Sequence, residues 1–328
     1  MTDAGFDNVL IFGHGRSGTN WLMDLVDISP HTHCRKEPHM IERGFLSQLP
    51  EAWHREPDEQ AMQRGWDEAL RLTTTHMGER DHPGTGWKLH YYAFPRWLGL
   101  YTAVRGRTRR RMLAKVLPSL RQPEWPLPTW LGSRRALEAA LPVVNLPQSP
   151  IWAAWVLKHR PRSAVLHIVR HPGGFLNSWR NRYLKKEDLA EVLRLNRQRL
   201  HEIVAADATW ADRIGDIDRM DESESELWYW CFAAERIHRA GEGLPAYRRI
   251  VYEQLTAEPL QVTEQCYAFT GLPWNDDIRK AVAAASRTSE SIAANWRTRL
   301  TDEQIALVER ILAGSLMRDW WTRDGQAA

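Results

Sequence analysis

Three glycines within six residues, set between an apolar run and a helical one, constrain this chain more than any other feature. Residues 10–21 read Leu-Ile-Phe-Gly-His-Gly-Arg-Ser-Gly-Thr-Asn-Trp. The apolar stretch 9–12 has the composition of a buried strand. Gly13, Gly15 and Gly18 then let the backbone turn tightly, and residues 21–26 continue with helical spacing. Strand, glycine-rich turn and helix N-terminus in succession present backbone N–H groups and a positive dipole end to an anion. A loop built for magnesium and a nucleoside triphosphate would read G-x-x-x-x-G-K-[ST]. Here Gly13 and Gly18 keep that spacing, but Thr19 stands at the lysine position and Asn20 at the magnesium-holding hydroxyl. Arg16, inside the loop, supplies the cation instead. The loop is expected to hold a phosphate without an obligatory metal.

Around this loop, short apolar runs alternate with longer helical ones. Strands are expected at 9–12, 32–35, 86–90, 164–169 and 249–252. Helices are expected at 17–27, 58–73, 151–159, 173–183, 222–239, 262–270 and 302–312, the last with Thr301 as its N-cap. Such alternation predicts an α/β three-layer sandwich with a central, mostly parallel sheet, and ligands at the carboxyl ends of its strands. The 328 residues show no repeat and no low-complexity linker, so one domain over 1–328 is expected. With 43% hydrophobic residues the chain can bury a substantial core. No apolar run is long enough to cross a bilayer, and the first residues lack the basic and apolar regions of a secretory signal. Cys34, Cys231 and Cys266 are widely spaced and odd in number, which fits a reducing cytoplasm better than disulfides or a metal knuckle.

A second stretch, Val165-Leu-His-Ile-Val-Arg-His-Pro-Gly-Gly-Phe-Leu-Asn-Ser-Trp179, runs from an apolar strand through Arg170 into a helix opened by Pro172. Ser178 lies about two turns into that helix. Arginine gives a forked, permanently charged contact and serine a neutral donor, a pair suited to a phosphate. Taken with this, Arg16-Ser-Gly-Thr-Asn-Trp21 resembles the 5′-phosphosulfate loop of the sulfotransferases that use PAPS (3′-phosphoadenosine 5′-phosphosulfate), and Arg170 with Ser178 resembles their 3′-phosphate motif. Ile250-Val-Tyr-Glu-Gln-Leu-Thr-Ala-Glu-Pro259 and Phe269-Thr-Gly-Leu-Pro-Trp274 are similar to two further segments of that family, and 289–300 loosely to its late nucleotide loop. The resemblance covers roughly 8–40, 84–92, 160–185 and 245–315.

The resemblance implies the P-loop NTPase-like sulfotransferase fold. It also implies a metal-independent, in-line transfer from PAPS, leaving adenosine 3′,5′-bisphosphate (PAP). It assigns Arg16, Ser17, Gly18, Thr19, Asn20 and Trp21 to the donor loop, with Trp21 packed on adenine. Arg170, Ser178, Tyr252 and Arg297 complete the nucleotide site, Arg287 being the alternative to Arg297. Sulfuryl transfer needs a general base for the acceptor proton and cations for the leaving oxygen. Two bases remain open. His90, in Trp87-Lys88-Leu89-His90, resembles the K-x-H strand end of cytosolic members, and Lys88 would share its side of a strand. Glu37, in Arg35-Lys36-Glu37-Pro38, matches the glutamate base of bacterial and carbohydrate members and is ranked slightly ahead. Arg16 and Lys88 are the charge stabilisers.

The segment 93–148 is expected to be an insertion forming an acceptor-binding lid. No acidic residue occurs between Asp81 and Glu124, while arginines at 96, 105, 107, 109, 110, 111 and 121 interleave with apolar residues. That basic amphipathic pattern over 96–121 suits an acidic or lipidic acceptor or peripheral contact with the inner membrane surface. Without a recognised binding motif, nucleic acid is disfavoured. Seventeen tryptophans fit an aromatic acceptor pocket, although Trp228 and Trp230 have core spacing. The acceptor stays open among a small molecule, a sugar and a lipid, and the oligomeric state is unread. Two other readings stand beside the transferase: a small-molecule kinase or nucleotide hydrolase, and a non-catalytic nucleotide-binding protein at a membrane surface.

Overall fold

Five short apolar segments pair into one sheet: β1 (Asn8–Phe12), β2 (Thr32–Lys36), β3 (Leu141–Asn145), β4 (Ser163–Val169) and β5 (Tyr247–Val251). The computed structural model describes residues 5–36, 59–75, 139–147, 149–183, 189–286, 295–322 and 325–327. The strand order is β2-β3-β1-β4-β5 and every pair is parallel. Central β1 places Ile11 opposite Asn145 on one side and Leu166 on the other.

Between the strands run α1 (Thr19–Val26), α2 (Glu59–Thr75), α3 (Pro150–His159), α4 (Pro172–Tyr183), α5 (Leu189–Ala206), α6 (Ala211–Ile214) and α7 (Glu222–Gly241), and after β5 come α8 (Tyr252–Ala257), α9 (Pro259–Thr270), α10 (Asp276–Ala285) and α11 (Asp302–Ala313). Successive residues of β1 point to opposite faces. Val9 and Ile11 pack with α1, α9 and α10, whereas Leu10 and Phe12 pack with α2 and α3. Both faces are therefore covered, as the near-continuous apolar strands of a parallel sheet require. The result is the expected three-layer sandwich. Trp228 and Trp230, at 4% and 0% exposure, project from α7 into the core.

Local signals set the helix ends. Thr301 and Gln304 form the reciprocal capping box that opens α11, and Gly271, at φ 69°, closes α9 in the left-handed conformation. Asp221 accepts from the Glu224 amide at 2.8 Å to start α7.

The sheet also takes in residues 141–145, the last part of the segment expected to form a lid. Pro142 hides this strand in the sequence, since proline removes a ladder donor. The structure tolerates it because β3 pairs with β1 only from Val143 onward. The strand expected at 86–90 and the basic stretch 96–121 lie outside the described residues. The strand expected at 249–252 runs instead from Tyr247, and Tyr252 opens α8. Helices α5, α6 and α10 fall outside the helices expected from the sequence. The three cysteines are buried and free. Among the described residues no helix is long and apolar enough to cross a membrane.

Candidate functional site

The carboxyl ends of β1, β3, β4 and β5 bring Gly13, Asn145, Arg170 and Tyr252 to one edge of the sheet. The loop 13–18 leaves β1 under tight steric limits. A Cβ on Gly13 would meet the Ile168 carbonyl oxygen at 2.5 Å, and one on Gly18, at φ +95°, the Tyr252 ring at 2.5 Å. Gly18 is the N-cap of α1, and the first helical hydrogen bond runs from the Leu22 amide to the Gly18 carbonyl at 3.0 Å. The amides of Thr19, Asn20 and Trp21 therefore lack intrahelical acceptors, which is the arrangement that attracts an anion.

Arg16 is the one non-glycine residue with positive φ among the described residues, at 72°. That conformation costs an L-residue about 1–2 kcal/mol. Two contacts hold it. Arg170 donates from Nη1 to the Arg16 carbonyl at 3.2 Å, and Arg16 donates from Nε to Ser178 Oγ at 3.1 Å. The loop and the strand-to-helix motif, 154 residues apart in sequence, thus interlock.

Arg170 is only 4% exposed. Its guanidinium lies 4.5 Å from the centroid of the Tyr252 ring, which also meets Trp21 edge-on at 6.0 Å. Gly174 leaves the space this guanidinium fills, since a Cβ there would lie 2.9 Å from Arg170 Nε. Burial first, and then the charge of Arg16, lowers the Arg170 pKa, while burial raises that of the Tyr252 phenol. Arginine nevertheless remains charged and tyrosine neutral at physiological pH. Two cations held close together are stabilised when an anion comes between them.

Asn145 belongs to no motif legible in the sequence. It is fully buried and donates from Nδ2 to Asn20 Oδ1 at 2.8 Å. Its signal was a polar residue closing the apolar run Leu-Pro-Val-Val, which only the strand assignment makes visible. His14 was also missed. It lies under the loop against Phe175 and Tyr229, with Nε2 3.5 Å from Glu226 Oε1, and burial pulls its pKa down to about 4.

Behind Arg170, the His171 amide donates to Glu253 Oε1 at 3.1 Å, and Trp321 Nε1 donates to Glu253 Oε2 at 2.8 Å. Burial raises the Glu253 pKa. Trp296 stacks on His171 with centroids 4.6 Å apart. Arg297 lies over Trp296 at 4.5 Å, with an Nη1–Glu309 separation of 3.6 Å, at the His171 end of the motif. The structure therefore gathers Arg16 to Trp21, Arg170, Ser178 and Tyr252 into one site and sets Arg297 beside it. Glu37, Lys88, His90 and Arg287 lie outside the described residues. Among those described, no group of three His, Cys, Asp or Glu side chains could hold a metal ion.

A sequence profile described as "Sulfotransferase family" matches residues 8–276. The chain belongs to the sulfotransferase family. It is similar to mouse carbohydrate sulfotransferase 5, with 26% identity over 172 residues, 46% of this chain and 40% of that protein. The aligned part thus spans well under half of that relative. Among solved structures, the sulfotransferase domain of the Synechococcus PCC 7002 olefin synthase is 15% identical, with 92% of this chain and 93% of that one covered and a TM-score of 0.42. Sulfotransferase STF9 from Mycobacterium avium is 14% identical, with 94% and 76% covered and a TM-score of 0.44. Mouse SULT7A1 in complex with PAP is 10% identical, with 94% and 84% covered and a TM-score of 0.41.

Proposed function

We propose that this protein transfers the sulfuryl group of PAPS to a hydroxyl or amine of a small-molecule, sugar or lipid acceptor. The observation that carries this reading is the interlock of Arg16, Arg170 and Ser178 beside the open N-terminus of α1. Two cations and a row of backbone donors at one strand edge suit a ligand with two separated anionic groups. In the reaction the acceptor oxygen or nitrogen forms a bond to sulfur as the sulfur–oxygen bond to the nucleotide phosphate breaks. The acceptor proton passes to a base, and PAP leaves with the charge of the bridging oxygen.

The α1 amides and Arg16 would neutralise that oxygen as it leaves. Arg170 and Ser178 would hold the 3′-phosphate, Tyr252 would back Arg170, and Trp21 would pack on adenine, with Arg297 as a further cation. Thr19 and Asn20 replace the lysine and hydroxyl of a magnesium–triphosphate loop, which supports transfer without a metal over the kinase reading. The name of the mouse relative supports a sugar among the candidate acceptors, and the basic stretch 96–121 supports an anionic or lipidic one.

Glu37 and His90 are the two proposed bases, with Lys88 at the sulfuryl group. PAP release from PAPS, followed with Glu37→Gln and His90→Ala, separates them. The true base should lose turnover by about 100-fold or more with PAP affinity largely intact. Unchanged turnover in both variants would remove both assignments.

A further inference from the structure

Asn145 closes β3 as the one polar residue after Leu141, Pro142, Val143 and Val144, and it is 0% exposed. Its Nδ2 donates to Asn20 in the first turn of α1 at 2.8 Å, yet its buried Oδ1 has no hydrogen-bond partner among the described residues. A buried amide oxygen left without a donor is destabilising, so a donor supplied by a ligand would stabilise it.

The hydrogen bond between the two amides sets their roles. With Asn145 donating, Asn20 uses its Oδ1 as acceptor and keeps its NH2 group as a donor for an anion at the helix N-terminus. In this arrangement an acceptor oxygen is left over at the end of β3. Anions cannot satisfy that oxygen. A neutral O–H or N–H can.

We propose that Asn145 positions the sulfuryl acceptor, its Oδ1 taking a hydrogen bond from the incoming hydroxyl or amine. This rests on the donor-site reading above. The relay runs from acceptor O–H to Asn145 oxygen, from Asn145 NH2 to Asn20 oxygen, and from Asn20 NH2 to the anionic donor. It ties the nucleophile and the anionic donor to the same pair of amides. An amide does not take the proton, which still goes to the separate base. Asn145 orients the nucleophile's lone pair toward sulfur.

The test uses the full chain with water as the acceptor: single-turnover release of PAP from bound PAPS, beside calorimetric binding of PAP itself. Asn145→Leu should slow release at least about tenfold while the PAP dissociation constant stays within about threefold. Asn145→Ser, whose hydroxyl can still accept, should lose less, and it carries the test if the leucine variant fails to fold. Unchanged release, or release and PAP affinity falling together, overturns the proposal and makes Asn145 a prop for the loop. A wild-type protein that binds PAP but releases none from PAPS in water also overturns it. Failure of the wild type to bind PAP removes the donor-site reading instead.

Discussion

Arg170 is the residue on which the site turns, because it is buried, charged and bonded to the strained carbonyl of Arg16. Replacing it leaves the loop without that tether and removes the cation assigned to the 3′-phosphate. Arg170→Ala should weaken PAP binding by roughly 1.5–3 kcal/mol, the range for a hydrogen bond to a charged group. ADP, which lacks the 3′-phosphate, should lose less. Equal losses for the two nucleotides in calorimetry would take Arg170 out of that role. At this scale much was legible. Arg16, Arg170 and Ser178 stand in fixed spacing within short motifs, and their residue types announce anion binding. That Arg170 bonds the Arg16 carbonyl was not legible, since the two meet only through the pairing of β1 with β4. Asn145 was hidden for the same reason.

Among the elements, the unit of β1, loop and α1 carries the donor chemistry, and its helix is only eight residues long. Packing of Leu22, Met23, Leu25 and Val26 against the sheet keeps so short a helix formed, since isolated helices of that length are unstable. Its open N-terminus can therefore be perturbed without unfolding it. Asn20→Asp puts a negative charge in the first turn, which favours the helix dipole by about 0.3–1 kcal/mol. The same charge repels an incoming phosphate or sulfate. The variant should melt at the same temperature or slightly higher, yet bind PAP at least about tenfold more weakly. Undiminished PAP affinity would show that the anion does not sit at this helix end. The strand and helix were both readable from their periodicity. β3 was not, because a proline within a five-residue apolar run weakens the strand pattern and only the neighbours in the sheet explain it.

Among the described residues, folding holds His14, His167 and His171 neutral in places that water does not reach. Burial lowers His14 to about 4 and His167 and His171 to about 3, from an ordinary value of 6.5. In the unfolded chain these groups take up protons below about pH 6.5, while in the folded chain they do not. Stability from this source is therefore complete above about pH 6.5 and is lost as the pH falls toward the folded values. Near pH 5 each contributes a slope of about 1.4 kcal/mol per pH unit, or roughly 4 together. The raised carboxyl of Glu253 opposes this in part at lower pH. Thermal melting should accordingly drop steeply between about pH 6.5 and pH 4.5. A flat profile there would mean that these histidines are not shielded.

The three-layer architecture was legible because apolar strands and amphipathic helices alternate along the chain. The position of Tyr252 as the first residue of a helix, pressed on Gly18, came only from the fold. The central claim is a site shaped for a nucleotide with a 3′-phosphate and no metal. Calorimetric titration of PAP against ADP, in EDTA and again with magnesium, tests it most directly. Metal-independent binding is expected, with PAP favoured by at least about tenfold, a difference of about 1.4 kcal/mol. Preference for ADP, or binding that appears only with magnesium, would contradict it.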